Sequence, residues 1–294
     1  KIVRELDFNL LLTGHQHMAV ERMELSGTYA VQPPANAGQF LHITGQQDGR
    51  DIRFCSKLTP VGATHTKEPY QSLLPLEQAV QTWLDQPIGE LTHSIRPEGK
   101  LDAALHGSQV AALFNQVQLA ETGADFSCTS LGNDPVGLAS PVTMRGVTAA
   151  YLFANTLVVL EVTEAVLRQT LERCAAYFTL VDDRPQISED FLLPKVEHYN
   201  YDFYAGLAYT FDLRRPVGSR VVRLTKLDGS PLENGKFRLC TSNYRATGTG
   251  GYDALRKCPV LWRGGVEMPD LTARYIQTHS PVPELHNAEM RVIW

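Results

Sequence analysis

The spacing of the apolar residues changes once along this chain, at about Leu73. Before that point, short apolar runs such as FNLLL (residues 8–12) alternate with turns rich in Pro and Gly, which is typical of β-strands. After it, Leu76, Val80 and Trp83 recur on one face of a helical wheel. A chain with this change of period cannot be one uniform sheet or one helical bundle.

The clearest element in the second part is NTLVVLEV (residues 155–162), a β-branched run that predicts a buried strand. Thr163 follows it as a candidate N-cap for a helix. These patterns predict an α+β fold. We expect the tail of one domain over residues 1–61, a linker or hinge over 62–76, and a second domain over 77–294.

Composition excludes several classes of protein. A net charge of −5 and 43% hydrophobic residues are ordinary for a globular chain and give no reason to expect a nucleic-acid polymer as partner. No apolar run is long enough to predict a transmembrane segment. The five cysteines are widely spaced and form no CxxC pair, which argues against a zinc knuckle or a disulfide scaffold.

Two histidines follow the first strand, in the turn GHQH (residues 14–17). Neutral imidazoles bind divalent transition metals, and a turn after a strand can aim His15 and His17 at one site or at two adjacent metals. Two histidines do not complete a metal centre, and no HxH or HExxH pattern follows downstream. Spacing alone leaves open the alternative of two solvent-facing loop histidines.

Two further stretches could either bind a flat ligand or pack. Phe153 and Asn155 stand just before the predicted strand, where an aromatic ring could stack on a base and an amide could bond to its edge. The residues alone favour a core Phe153 and an Asn155 that caps a turn. The tyrosine-rich HYNYDFY (residues 198–204) likewise favours packing over recognition.

The fourth stretch is SNYRATGTGGYDAL (residues 242–255), in which a predicted strand ends at Tyr244 and glycines follow. Glycines allow a backbone to approach a ligand closely. Tyr252 could then form the second side of a base sandwich, and Asp253 could accept hydrogen bonds from ribose hydroxyls. By itself this pattern is weak.

Taken in order, GHQH, TMRGVTAAYLFANTLVVLEVT, HYNYDFYAGLAYTFDL and SNYRATGTGGY resemble the metallophosphoesterase/5'-nucleotidase superfamily. The resemblance covers nearly the whole chain and is greatest to the 2',3'-cyclic-nucleotide 2'-phosphodiesterase/3'-nucleotidase branch. It implies a mixed-sheet 5'-nucleotidase C-terminal domain preceded by the last strands of an α/β metallophosphatase domain. The loop SLGND (residues 130–134) lacks the Arg of the GGxR motif of 5'-nucleotidases, which favours the cyclic phosphodiesterase branch.

The resemblance also implies a metal centre. His15 and His17 would each bind one of two divalent ions, which could be Mn, Zn, Fe, Co or Mg. The other ligands and the catalytic histidine would lie upstream, in an N-terminal metallophosphatase domain that this sequence does not contain. On this interpretation the chain is a C-terminal portion that holds no metal and is inactive by itself.

By position, the resemblance places Phe153 and Tyr252 on the two faces of a nucleobase, with Asn155 on the base and Asn133 on a substrate-facing loop. Asp253 remains the candidate for the ribose. The complete protein would be a metal-dependent hydrolase of nucleotide catabolism that acts on 2',3'-cyclic nucleotides and 3'-nucleotides. Alternatives are a fragment of a 5'-nucleotidase/UDP-sugar hydrolase and a non-catalytic nucleoside-binding module. The family is usually exported, to the periplasm or cell surface, although a cytoplasmic location is also open.

Overall fold

The computed structural model describes five stretches of the chain, which are residues 2–6, 8–62, 67–233, 235–285 and 289–294. The chain divides into two compact units, Lys1–Pro75 and Leu76–Trp294.

The first unit consists of one short helix and five strands. They are α1 (Ile2–Glu5), β1 (Leu10–Leu12), β2 (Val20–Leu25), β3 (Thr28–Gln32), β4 (Gln39–Asp48) and β5 (Asp51–Pro60). β3 lies between β1, which is parallel to it, and β2, which is antiparallel, while β4 and β5 form a separate hairpin. The central strand is buried at Ala30 and Val31. The strand predicted at FNLLL forms as β1, which lies at the edge of this sheet and leaves Leu12 64% exposed.

Helix α2 (Lys67–Leu84) runs through the boundary between the two units. Residues 63–66 of the predicted linker lie outside the described residues, and from Lys67 onward the rest of it is helical. The predicted helical face is present, but Leu76, Val80 and Trp83 are between 42% and 65% exposed.

The second unit contains the remaining helices and strands. The helices are α3 (Lys100–His106), α4 (Gln109–Thr122), α5 (Met144–Ala150), α6 (Glu164–Ala175), α7 (Asn243–Ala246), α8 (Asp253–Arg256) and α9 (Met268–Thr278), with 3-10 turns at Glu189–Phe191 and His198–Asn200. The strands are β6 (Pro87–Gly89), β7 (Phe126–Ser130), β8 (Val142–Thr143), β9 (Thr156–Val162), β10 (Phe178–Val181), β11 (Arg184–Ile187), β12 (Asp202–Ala205), β13 (Leu207–Asp212), β14 (Val221–Lys226), β15 (Phe237–Ser242), β16 (Val260–Glu267) and β17 (Met290–Ile293).

A five-stranded mixed sheet forms the centre of this unit, in the order β12-β7-β15-β9-β16. Only the β7–β15 pair is parallel, and the other three pairs are antiparallel. A three-stranded sheet, β14-β13-β17, and two strand pairs complete the unit. The predicted α+β class is confirmed.

Strand β9 lies in the core of the second unit because its apolar residues follow one another without alternating polar residues. Leu157, Val159 and Leu160 are at most 1% exposed, as expected for a strand covered on both faces. Thr163 then caps α6, and its hydroxyl accepts the N–H of Val166. No helix among the described residues is long and apolar enough to cross a membrane.

Candidate functional site

An irregular segment between α5 and β9 exposes an aromatic side chain. Phe153 is 43% exposed, although Tyr151 before it and Leu157 after it are buried. Its ring meets the ring of Tyr151 edge-on, with centroids 6.5 Å apart. It borders a shallow pocket formed with the loop that follows β7, lined among others by Ser130, Gly132, Asp134 and Pro135. The interpretation of Phe153 as a core residue is therefore wrong.

Asn155 is half-buried next to this ring, and its main chain is held in place. Its carbonyl accepts the N–H of Met268 at 2.9 Å, and its side-chain Nδ2 donates to the hydroxyl of Tyr151 at 3.2 Å. Burial raises the pKa of Tyr151 to about 12, so its hydroxyl stays protonated at neutral pH. The Oδ1 of Asn155 has no hydrogen-bond partner among the described residues, and its contact with a base stays a prediction.

A second exposed aromatic side chain, Tyr244, lies at the end of the five-stranded sheet where β15 ends and β9 begins. We call this end of the sheet the exposed edge. β15 ends at Ser242, whose hydroxyl caps the one-turn helix α7. Within that helix, the side-chain oxygen of Asn243 accepts the N–H of Thr156 at 3.2 Å, which docks α7 against the start of β9. Tyr244 is 40% exposed. Sequence analysis did not single out Tyr244 as a candidate because it assigned this residue to the end of the strand.

Tyr252 is a core residue and does not face a ligand. It is 1% exposed, and its hydroxyl donates to the carbonyl of Asn200 at 3.0 Å and lies 3.1 Å from the Sγ of Cys174. The guanidinium of Arg245 covers its ring at 4.1 Å from the centroid. A ring covered in this way cannot stack on a base, and the prediction that Tyr252 forms one side of a base sandwich is wrong.

Asn133 joins two loops. Its Nδ2 donates to the carbonyl of Val196 at 2.9 Å, and its Oδ1 is buried without a hydrogen-bond partner among the described residues. The amide thus links the loop after β7 to the loop that leads into β12. Its contact with a substrate stays a prediction.

Asp253 begins α8 and is exposed. It lines a cleft with Glu161, Thr163 and Val166, at the end of β9. Phe153 lies before the start of β9, and a seven-residue strand spans about 20 Å. The structure does not bring Asp253 and Phe153 together, so the predicted ribose contact is wrong for a base bound at Phe153.

In the first unit, the GHQH turn is tied to β3 on both sides. The N–H and hydroxyl of Thr13 donate to the carbonyl of Val31 at 2.9 Å and 3.0 Å. Nε2 of the buried Gln32 donates to the carbonyl of Met18 at 2.7 Å. The histidines between these anchors are therefore held on a defined turn.

Both histidines adopt left-handed backbone conformations, with φ of 73° at His15 and 56° at His17. This region is uncommon for residues other than glycine, and such conformations cluster at functional sites. Both side chains are exposed. No group of three or more His, Cys, Asp or Glu that could hold a metal occurs in the part of the chain that the structure describes. The role of His15 and His17 as metal ligands stays a prediction, and it needs further ligands.

The sequence of the second unit matches one family model. The model is described as "5'-nucleotidase, C-terminal domain", and it matches residues 87–257, more than half of the chain. The chain belongs to the 5'-nucleotidase C-terminal domain family. The matched range contains Phe153, Asn155 and Tyr244.

Curated relatives of this 5'-nucleotidase C-terminal domain chain are phosphoesterases. A 2',3'-cyclic-nucleotide 2'-phosphodiesterase/3'-nucleotidase of Haemophilus influenzae is 29% identical over 60% of this chain and 32% of its own length. The trifunctional nucleotide phosphoesterase protein YfkN of Bacillus subtilis is 26% identical over 47% of this chain and 10% of its own length. The chain thus spans a third or less of these relatives, which are hydrolases.

Solved structures agree with the family assignment. A Staphylococcus aureus protein assigned as a 5'-nucleotidase, in complex with alpha-ketoglutarate, superposes with a TM-score of 0.84 at 28% identity. The superposition covers 98% of this chain and 57% of that one. A 5'-nucleotidase precursor of Thermus thermophilus shares the fold, with a TM-score of 0.59 at 21% identity, over 96% of this chain and 57% of its own.

Proposed function

We propose that the second unit binds the nucleoside part of a nucleotide at the edge formed by Phe153, Asn155 and Tyr244. The observation that carries this proposal is the exposure of two aromatic rings at one edge, both anchored at the start of β9. Stacking of a base on an aromatic ring is worth about 1–3 kcal/mol. Asn155 would accept a hydrogen bond from the edge of the base, while the rings supply most of the affinity.

We further propose that the complete protein hydrolyses 2',3'-cyclic nucleotides and 3'-nucleotides with two divalent metal ions. When bound, such ions activate a water molecule and stabilise the charge on the phosphate. His15 and His17 would each donate an imidazole nitrogen to one ion. Phe153 and Tyr244 would hold the nucleoside, so that binding energy from the base orients the ester for attack. The names of the curated relatives support this activity.

The remaining ligands and the catalytic acid would come from an N-terminal metallophosphatase domain, and the chain by itself would be inactive. Export to the periplasm or cell surface is part of the same proposal and rests on the resemblance alone. A 5'-nucleotidase activity is the second candidate, because the Staphylococcus aureus structure, with its TM-score of 0.84, is assigned as a 5'-nucleotidase. The loop SLGND without an arginine supports the first candidate.

Replacing Phe153 by Ala should weaken binding of adenosine by about tenfold or more, because one stacking surface is lost. The matched control is Leu227→Ala, since Leu227 is 51% exposed and does not line the pocket that Phe153 borders. Isothermal calorimetry on the full chain measures both affinities, and thermal denaturation shows whether each variant is folded. A folded wild-type chain without measurable binding of adenosine, or equal affinity in the two variants, would refute the nucleoside site.

Stacking accepts any base, so the chain should bind adenosine, guanosine, cytidine and uridine with affinities within about a hundredfold of each other. The measurement is a calorimetric titration of the same protein with each of the four nucleosides. A guanosine-to-adenosine ratio beyond that range would show that hydrogen bonds to the base edge, and not the rings, dominate recognition.

A further inference from the structure

Arg245 is the largest fully buried side chain among the described residues, and it directly follows Tyr244. Its side chain is 2% exposed. A charged residue is almost never buried to this extent unless it is paired and hydrogen-bonded. The nucleoside contacts described above do not account for Arg245, and its position behind them needs an explanation.

The guanidinium links α7 to two other segments of the unit, residues 199–202 and the glycine-rich loop. Nε and Nη2 donate to Oδ1 of the buried Asp202, at 3.1 Å and 2.8 Å, on β12. Nη2 also donates to the carbonyl of Tyr199, at 2.8 Å, in the turn before β12. Nη1 donates to the carbonyl of Thr249, at 2.6 Å, in the glycine-rich loop. The same guanidinium covers the ring of Tyr252.

Helix α7 depends on such anchors because it has only four residues. An isolated turn of helix is unstable in water, so tertiary contacts must set its position. On its outer side, Asn243 bonds to the start of β9. On its inner side, Arg245 holds it, and the ring of Tyr244 lies 5.8 Å from the Cζ of Arg245.

We propose that Arg245 is a positioning residue of the nucleoside site, which sets the orientation of α7 and thereby holds the ring of Tyr244 at the exposed edge. This inference rests on the proposed function. Arg245 itself is covered by protein and touches no ligand. It acts through Tyr244 alone.

The glycine-rich loop serves this arrangement. Gly250 has a φ of +79°, and a Cβ there would clash with the side chain of Asn200 and lie 2.6 Å from Nη1 of Arg245. Only glycine allows the loop to approach the guanidinium this closely. Gly250, one of the glycines that sequence analysis considered for a ligand, therefore makes room for Arg245.

Lysine should not replace arginine here. A guanidinium presents five donors in a rigid planar fork, which suits several acceptors on two different segments. An ammonium group can pair with Asp202 but cannot also reach the carbonyls of Tyr199 and Thr249. Arg245→Lys thus keeps the charge and removes the three-way link.

The variant Arg245→Lys should weaken binding of adenosine by about tenfold, since one ring loses its position. The matched control is Arg220→Lys. Arg220 is also buried, and it donates to the carbonyls of Ala175, Phe178 and Arg215 at 2.7–3.0 Å, but it lies on the β13–β14 side of the unit. Arg220→Lys should lower thermal stability and leave the dissociation constant within about twofold of wild type.

A double-mutant cycle separates positioning from general destabilisation. If Arg245 acts through Tyr244, then Arg245→Lys should have almost no further effect on affinity in a chain that already carries Tyr244→Ala. Fluorotyrosine placed at position 244 gives a readout without nucleoside. Its ¹⁹F resonance should shift or broaden with Arg245→Lys and stay unchanged with Arg220→Lys.

A second variant covers the case in which Arg245→Lys does not fold. Asp202→Leu combined with Arg245→Met replaces the buried ion pair by apolar side chains, an exchange that proteins tolerate well. Loss of adenosine affinity in this folded double variant supports the proposal, and wild-type affinity in it overturns the proposal. Additive losses in the cycle would also overturn it. A wild-type chain that binds no adenosine would instead refute the proposed function, and the positioning role would fail with it.

Discussion

Tyr252→Ala should lower the free energy of unfolding of the second unit by about 3–5 kcal/mol, the range measured when a large buried aromatic is truncated. Tyr252 is 1% exposed. Its loss leaves a cavity, exposes one face of the Arg245 guanidinium, and removes the donor to the carbonyl of Asn200. Urea denaturation followed by circular dichroism measures the effect.

The informative comparison is Tyr252→Phe, which keeps the ring and removes only the hydroxyl. It should cost about 1 kcal/mol for the lost hydrogen bond and leave adenosine affinity at the wild-type value. Tyr244→Ala should show the opposite pattern, with little change in stability and a large loss of affinity. A folded Tyr252→Phe chain that no longer binds adenosine would contradict our placement of Tyr252 in the core.

Local sequence patterns predicted the elements that their own residues determine. The run NTLVVLEV became β9, and Thr163 became the N-cap of the following helix. In each case the period of the apolar residues, or a single capping residue, is sufficient to define the element.

The site was harder to predict because two tyrosines in one stretch exchange their expected environments. Sequence analysis continued the strand to Tyr244, but Ser242 caps a helical turn there, and this turn exposes the ring of Tyr244. Tyr252 follows three glycines and was expected to be exposed. Its buried hydroxyl contacts Asn200 and Cys174, which lie 52 and 78 residues away in sequence and therefore leave no local pattern.

Phe153 shows the same limit from the other side. Because Phe153 is apolar and stands beside a predicted buried strand, the residues alone favoured a core position. Only the resemblance indicated a ligand contact. In the structure Phe153 lies in the irregular segment between α5 and β9 and is 43% exposed. Whether an apolar residue in a short connection is exposed depends on the tertiary packing around it, and the spacing of apolar residues does not predict it.

Asp202→Ala should lower the free energy of unfolding by about 3–5 kcal/mol, because it leaves the guanidinium of Arg245 buried without its carboxylate. Both side chains are at most 2% exposed, so water cannot replace the lost partner. The matched control is Asp85→Ala, in which an exposed carboxylate 2.6 Å from Arg145 is removed and stability should hardly change. Denaturation by urea compares the two variants.

The double variant Asp202→Leu/Arg245→Met should be more stable than Asp202→Ala and recover most of the lost free energy of unfolding. The reason is that a packed apolar pair removes the uncompensated charge. It should not recover adenosine affinity, since methionine donates nothing to Tyr199 or Thr249 and α7 loses its inner anchor. Stability without affinity in the double variant would mean that the ion pair is retained for the geometry it imposes on Tyr244. Recovery of both would show that Arg245 and Asp202 serve the fold alone.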